Sequence, residues 1–360
     1  MSARRIRVLI VEDSPVIREF LLNAFSGDPH LEVAGAVSDG DEVLAAVREL
    51  RPDVVTMDIH MARMDGLEAT RRVMQENPVP IVVVSGMIED QVATTFNALE
   101  AGALAVVPRP AGLGDPAHQA SVAELVRTLK LMSEVKLVRR RRARDSASQA
   151  GAARQGFDAA PCGVNIVAIG ASTGGPLAIQ ALLAGLPKDF TLPVLVVQHI
   201  AEGFLNGFVQ WLTKATGFPV HLATDGEVIL PGHAYVAPDR HHMGVDRRAR
   251  IVLSDAPPEN GLRPSVDYLL RSARQVYGKG TAGVLLSGMG KDGAAELLAL
   301  KKSGAPTFAQ DRESSAVHGM PGEAIRLDAA RYVLAPAEIA AALRGLAAVG
   351  VAKTGRERNQ

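Results

Sequence analysis

The 360-residue sequence predicts an α/β protein of two units, each a doubly wound parallel sheet with helices on both faces, joined by a linker. Three observations predict it. Short apolar runs alternate with amphipathic stretches through residues 1–130, as they do when strands of a parallel sheet are crossed over by helices. A further apolar run, Val164–Ile169, stops at Gly170-Ala171-Ser172-Thr173-Gly174-Gly175 and passes into an apolar helix-like stretch, Pro176–Leu186. Between the two, residues from Lys136 to about Ala160 turn to Arg, Ser, Ala, Gln and Gly, a composition that cannot bury a core. The expected boundaries are residues 1–130, a linker 131–160, a second unit 161–350 and a tail 351–360.

In the first unit Val8–Val11 reads as a buried strand and Pro15 opens an amphipathic helix to about Phe25, proline being tolerated in a first turn. Strands Val33–Val37, Val54–Met57, Ile81–Ser85 and Ala105–Val107 then alternate with helices Asp41–Leu50, Gly66–Glu76, Gln91–Leu99 and Ser121–Leu137. In the second unit, after Val164–Ile169, strands are expected at Pro193–Gln198 and Gly283–Leu286, and a packed helix at Ala337–Val349 before a frayed charged tail, Lys353–Gln360.

Composition narrows the function classes. Lys+Arg 39 balances Asp+Glu 39, so the whole chain carries no bias toward nucleic acid or anionic membrane. The arginine run Arg139–Arg142 has no interleaved aromatics to stack on bases and reads as solvated linker. A single cysteine, Cys162, excludes an internal disulfide framework and suits a cytoplasmic location. The apolar run Val8–Val11 is too short for a signal-peptide core, and no stretch reaches membrane-spanning length.

Ligands of parallel sheets sit at the carboxyl ends of the strands. In the first unit Glu12 and Asp13 follow the first strand, Asp58 the third, and Ser85 ends the fourth. Three carboxylates at one sheet edge repel one another unless a hard cation joins them, and Mg2+ is the natural choice. These segments, with Met57-Asp58-Ile59-His60-Met61-Ala62-Arg63-Met64-Asp65-Gly66 and Ser85-Gly86, resemble a response-regulator receiver domain of flavodoxin-like fold. The resemblance implies that Asp58 accepts a phosphoryl group from a sensor histidine kinase, that Glu12 and Asp13 join Asp58 in holding Mg2+, and that the Ser85 hydroxyl bonds the phosphoryl group. Two positions depart from that family: Arg109 stands where a lysine is usual, and Val106 where an aromatic switch residue is usual. An arginine fork cannot place its charge as a lysine does.

In the second unit Gly170-Ala171-Ser172-Thr173-Gly174 fits G-x-S-x-G in a strand–turn–helix setting, which marks Ser172 as a candidate nucleophile. His199 ends an apolar strand on the same edge and is the candidate general base. Asp292, in Ser287-Gly288-Met289-Gly290-Lys291-Asp292-Gly293 after a third strand, can orient the imidazole. The order Ser, His, Asp disfavours the α/β-hydrolases, which run Ser, acid, His. Nucleotide binding at the glycine turn is a weaker reading, because G-x-G-x-x-G and a P-loop lysine are absent.

With Gln198-His199, Asn260 through Asp267, and Ala309-Gln310-Asp311-Arg312-Glu313-Ser314-Ser315 through Gly319-Met320-Pro321, this half is similar to the catalytic domain of the chemotaxis protein-glutamate methylesterases, the CheB family. The resemblance implies a Rossmann-like methylesterase domain that demethylates glutamyl esters on methyl-accepting chemotaxis receptors, and deamidates particular glutamines, with no cofactor for the hydrolysis. It assigns Ser172, His199 and Asp292 as nucleophile, base and orienting carboxylate, and makes the Met289 N–H a candidate oxyanion donor. Thr173 would assist that site or cap the following helix. A cytoplasmic monomer recruited to receptor clusters is implied, with no membrane insertion; the rival reading is a catalytically idle adaptor that binds receptors or kinase. His241-His242 is read as structural or as substrate rim, because adjacent histidines on a strand point apart. Arg263 would place a receptor carboxylate, or be solvated or salt-bridged.

Overall fold

A computed structural model describes residues 4–86, 96–135 and 163–357, with side chains as far as residue 347. The expected linker beyond residue 135, the arginine run Arg139–Arg142, Cys162 and the first half of the helix expected over Gln91–Leu99 lie outside these residues. The chain divides into two compact units, Met1–Asp158 and Ala159–Gln360.

The first unit is a parallel five-stranded sheet of β1 (Ile6–Val11), β2 (Leu31–Val37), β3 (Val54–Met57), β4 (Ile81–Ser85) and β5 (Ala105–Pro108) in the order β2-β1-β3-β4-β5. β1, β3 and β4 are covered on both faces, which is why they read as unbroken apolar runs: Val8 through Val11, Val54 and Val55, and Ile81 through Val84 are all buried. Helices Pro15–Ser26, Gly40–Leu50, Gly66–Glu76 and His118–Ser133 flank them, and residues 96–101 are helical. Leaving β1 for β2 on one side and reaching β3 on the other opens a crevice at the carboxyl ends of β1 and β3.

The second unit holds a seven-stranded sheet of β6 (Ile166–Ala171), β7 (Val194–Gln198), β8 (Val220–Leu222), β9 (Ala234–Val236), β12 (Thr281–Leu285), β13 (Thr307–Gln310) and β14 (Tyr332–Leu334). Its order is β14-β13-β12-β6-β7-β9-β8 and every pairing is parallel. The order reverses at β6, which pairs with β7 on one side and with β12 on the other, so the crevice opens above β6. The expected doubly wound α/β class therefore holds for both units. One feature lies outside that expectation: β10 (His242–Val245) and β11 (Ile251–Ser254) form a separate antiparallel ribbon that packs with helix Val266–Tyr277 against the sheet. The last helix, Pro336–Glu357, also runs through most of the stretch expected to fray. Lys353, Arg356 and Glu357 within it are good helix formers whatever their charge. Among the described residues no helix is long and apolar enough to cross a membrane.

Candidate active site and acidic receiver site

The β6–helix turn is built from small residues because neighbours crowd it from every side. Gly174 takes φ +75°, and a Cβ there would lie 2.6 Å from both Ala316 Cβ and Ser287 Oγ. Gly174, with no side-chain hydrogen bond, is the N-cap of helix Gly175–Ala184. Thr173 is therefore not the cap, which corrects that expectation: a left-handed residue is needed to turn a strand so sharply into a helix, and glycine takes it without a steric penalty. The Thr173 carbonyl instead accepts the Ser287 hydroxyl at 2.8 Å.

Parallel pairing sets Ser172 between its neighbours. The Ser172 N–H donates to Ser287 O at 3.0 Å on the β12 side, and the His199 N–H donates to Ala171 O at 2.9 Å on the β7 side. Adjacent strands lie about 4.8 Å apart, so serine and histidine occupy neighbouring positions at one sheet edge. Gln198 fixes them further, its Nε2 donating to Ser172 O at 2.9 Å and to His199 O at 2.8 Å. Gly288 packs directly on Ser172: a Cβ there would lie 2.9 Å from Ser172 Cβ and 3.0 Å from Ser172 N. Gly288→Ala is accordingly expected to cost about 1–3 kcal/mol of stability and to displace Ser172, lowering kcat more than tenfold; a thermal melt and a turnover assay check both halves.

His199 lies 14% exposed in its side chain, with Nε2 at 3.1 Å from Asp292 Oδ2. The distance is short, but the N–H direction lies off the line to the oxygen, so Nε2 makes no aligned hydrogen bond. Nε2 thus faces the acid, and Nδ1 is the ring nitrogen turned from it.

Asp292 is buried, and a helix start holds it. Its Oδ1 accepts Ser265 Oγ at 2.9 Å and the Asp267 N–H at 3.1 Å; its Oδ2 accepts the Val266 N–H at 2.7 Å. Ser265 is the N-cap of helix Val266–Tyr277, so the carboxylate sits on that helix's free N–H groups. Burial pushes the Asp292 carboxyl up, but His199 and the Val266 N–H together hold it below the usual carboxylate range. Ser265, Asp267 and Gln198 are the residues whose part in this arrangement the sequence did not reveal. Ser265 followed by Asp267 reads as a helix start, and nothing local says that the helix points at Asp292.

Met289 lies half-buried in the glycine loop, and among the described residues neither its N–H nor that of Thr173 donates to a backbone acceptor. His242 is fully buried, its Nδ1 accepting the Ser265 N–H at 3.2 Å and its Nε2 3.1 Å from Pro257 O, with the ring stacked on Tyr268. It braces the helix start, in keeping with a structural role. His241 faces Asp239 O and Asp255, away from it. Arg263 Nη1 donates to the carbonyls of Asp255 and Ala256 at 2.9 and 3.2 Å, a backbone clamp that the sequence did not announce.

In the first unit Glu12, Asp13 and Asp58 each offer an oxygen within 4.8 Å of the others, the one such group found among the described residues. Glu12 and Asp58 are buried and Asp13 is exposed. Burial, with the Asp58 charge next, pushes Glu12 up to about 7, and burial likewise raises Asp58. Arg109 lies 3.4 Å from Glu12 and 3.8 Å from Asp58. The arginine thus reaches both carboxylates. Ser85 is buried at the end of β4, its Oγ 3.4 Å from Gly86 O, and Val106 packs half-buried against the core. Three hard oxygen donors with excess negative charge fit Mg2+.

Two family models match the chain: the response regulator receiver domain over residues 8–116 and the CheB methylesterase over residues 167–343. A protein-glutamate methylesterase/protein-glutamine glutaminase of Nitrosospira multiformis is 52% identical over 345 residues, covering 95% of this chain and 97% of its own. One of the same description from Geobacter metallireducens is 53% identical, with 95% and 99% covered. The crystal structure of the Thermotoga maritima CheB methylesterase catalytic domain shares 36% identity, covers 51% of this chain and 98% of its own, and superposes with a TM-score of 0.49. With a receiver unit ahead of this Ser/His/Asp-bearing sheet and half its residues shared along nearly its full length, the chain belongs to the CheB family of protein-glutamate methylesterase/protein-glutamine glutaminases.

Proposed function

We propose that this chain is a phosphorylation-regulated serine hydrolase that removes methyl groups from glutamyl esters on methyl-accepting chemotaxis receptors and deamidates specific receptor glutamines. The observation that carries this reading is the meeting of Ser172, His199 and Asp292 at the carboxyl ends of β6, β7 and β12, with the acid 3.1 Å from the imidazole.

The chemistry follows from that arrangement. Ser172 Oγ attacks the ester carbonyl carbon while His199 Nδ1 takes its proton. The carbonyl oxygen becomes an oxyanion in reach of the Met289 and Thr173 N–H groups, and one such donor is worth about 3–4 kcal/mol in the transition state. Asp292, ionised on its helix start, stabilises the imidazolium. Collapse breaks the bond to the methoxy oxygen, which leaves as methanol with the proton from His199. Water then gives a proton to His199 and attacks the acyl-serine, and the serine departs reprotonated, leaving a glutamate. With a glutamine the leaving group is ammonia.

In the receiver unit Asp58 is the proposed acceptor of a phosphoryl group from a chemotaxis sensor kinase. Glu12, Asp13 and Asp58 would hold Mg2+, which when bound neutralises charge on the phosphoryl oxygens. Ser85 and Arg109 supply a hydroxyl and a cation at the same strand ends. An aspartyl phosphate would shift the population toward the active state of the enzyme. Methanol release from methylated receptor membranes tests the proposal. A small phosphodonor is expected to stimulate it, and Asp58→Asn to remove the stimulation while leaving basal turnover. Chelation of Mg2+ is expected to abolish labelling of Asp58 by the same donor. Stimulation that survives Asp58→Asn would count against this regulation.

A further inference from the structure

Behind the three residues lies a fourth carboxylate that the chemistry above does not use. Asp267 is buried in the first turn of helix Val266–Tyr277, where its own N–H donates to Asp292 Oδ1 at 3.1 Å. Its side chain faces the other way along the chain. Oδ1 accepts the Gly293 N–H at 3.1 Å and the Glu296 N–H at 3.4 Å, which are the cap and first turn of helix Ala294–Lys302. Oδ2 accepts Asn260 Nδ2 at 3.2 Å. Two helix starts thus meet, and each is capped by the acid belonging to the other. Asp292 precedes the second helix and caps the first; Asp267 belongs to the first and caps the second. Neither carboxylate can shift without unseating the other's helix.

We propose, building on the triad reading, that Asp267 is a positioning residue for the hydrolysis: the crossed caps hold Asp292 beneath His199, and the Asp267 charge adds to the field that stabilises the imidazolium. The surrounding charges are consistent with a carboxylate that loads and unloads a proton near neutrality. Asp292 and Glu296 are the two carboxylates that face it. Arg271, on the same helix, pairs with Glu259 and lies 3.6 Å from Glu296, and Arg274 pairs with Glu296. His242 lies beyond Ser265, where it accepts that residue's N–H, and His199 lies beyond Asp292. Burial, with the Asp292 charge next, pushes Asp267 up to about 6. It is therefore ionised above that pH and neutral below it.

The test compares the full-length protein with Asp267→Asn, measuring kcat and KM for methylated receptor membranes from pH 5 to pH 8.5. Asparagine keeps an acceptor for the Gly293 and Glu296 N–H groups but never carries the charge. The wild-type to variant ratio in kcat is expected to be about tenfold at pH 8, with KM unchanged. It should fall toward one below pH 6, as the wild-type acid takes up its proton. A ratio that does not change with pH, unity included, overturns the proposal, because a purely structural cap would give that result. Should Asp267→Asn fail to fold, Asn260→Gly decides the matter. Asn260 has φ +52°, which glycine adopts freely, and its loss removes a donor from the Asp267 carboxylate. The inflection in wild-type kcat near pH 6 is then expected to move up by about half a pH unit or more; an unmoved inflection overturns the proposal. Ser172→Ala measured alongside separates the two readings. Turnover that persists there overturns the triad, whereas a dead Ser172→Ala with a flat Asp267 ratio overturns only the part given to Asp267.

Discussion

Ser172→Ala is expected to abolish methanol release, lowering kcat by about 10^5-fold or more while leaving the fold intact. The size follows from the chemistry: without Oγ no acyl-enzyme forms, and what remains is the modest help that oxyanion donors give to direct attack by water. The intact fold follows from the structure. The Ser172 backbone is held by its N–H to Ser287 O and by Gln198 on its carbonyl, whereas its Oγ donates to no group among the described residues. Losing that hydroxyl is expected to change stability by less than about 0.5 kcal/mol. Ser287→Ala is the matched control. Its hydroxyl lies equally close to the turn but bonds Thr173 O, Val317 O and the Val317 N–H at 2.8, 3.2 and 3.0 Å. Removing it leaves buried polar groups unpaired and is expected to cost about 1–3 kcal/mol. A chemical denaturation curve beside the turnover assay distinguishes the two serines. One variant should be dead and stable, the other weakened in fold. Unchanged turnover in Ser172→Ala would sink the nucleophile assignment.

How much of this was legible in the sequence depends on how far apart the interacting residues lie. Strands buried on both faces announce themselves as unbroken apolar runs, so β1, β3, β4, β6 and β7 were readable directly. The three-residue strands β8, β9 and β14 are too short to show a period, and the four-residue strands of the ribbon β10–β11 mix His242, Gly244 and Ser254 with their apolar residues. Polar residues just past strand ends were legible as a site because a parallel sheet brings its carboxyl ends to one edge. The same reasoning placed both Asp58 and Ser172 just past strand ends, where β3 and β6 do stop. Thr173 shows the limit of local rules: threonine is a favoured cap, yet the turn demanded a left-handed residue and Gly174 took the place. The crossed caps of Asp267 and Asp292 left no trace in the sequence at all. They join segments 25 residues apart, and a bond at that separation imposes no periodicity on either.

Asp292→Asn is expected to lower kcat by about 10^4-fold, and here the loss comes from a proton placed on the wrong nitrogen. Wild-type Asp292 only accepts, so it keeps the hydrogen of a neutral His199 on Nε2 and leaves Nδ1 bare for the Ser172 proton. An asparagine amide has one accepting and one donating end. With its NH2 toward His199 it donates to Nε2, moves the ring hydrogen to Nδ1 and blocks the base; the same NH2 also faces the Val266 N–H, which loses its acceptor. Turned over, the amide keeps its oxygen at His199 but opposes the Asp267 N–H with a donor and gives up the negative charge that steadies the imidazolium. Either orientation leaves one buried N–H unpaired, so a stability loss of about 1–3 kcal/mol should accompany the kinetic one. The two effects can be told apart by pH. A tautomer held by a hydrogen bond does not return when the solution is made more alkaline, so the variant should stay inactive up to pH 9. A variant that recovers most of its rate between pH 7 and pH 9 would mean that Asp292 merely adjusts the basicity of His199, and the orienting role given to it would be wrong.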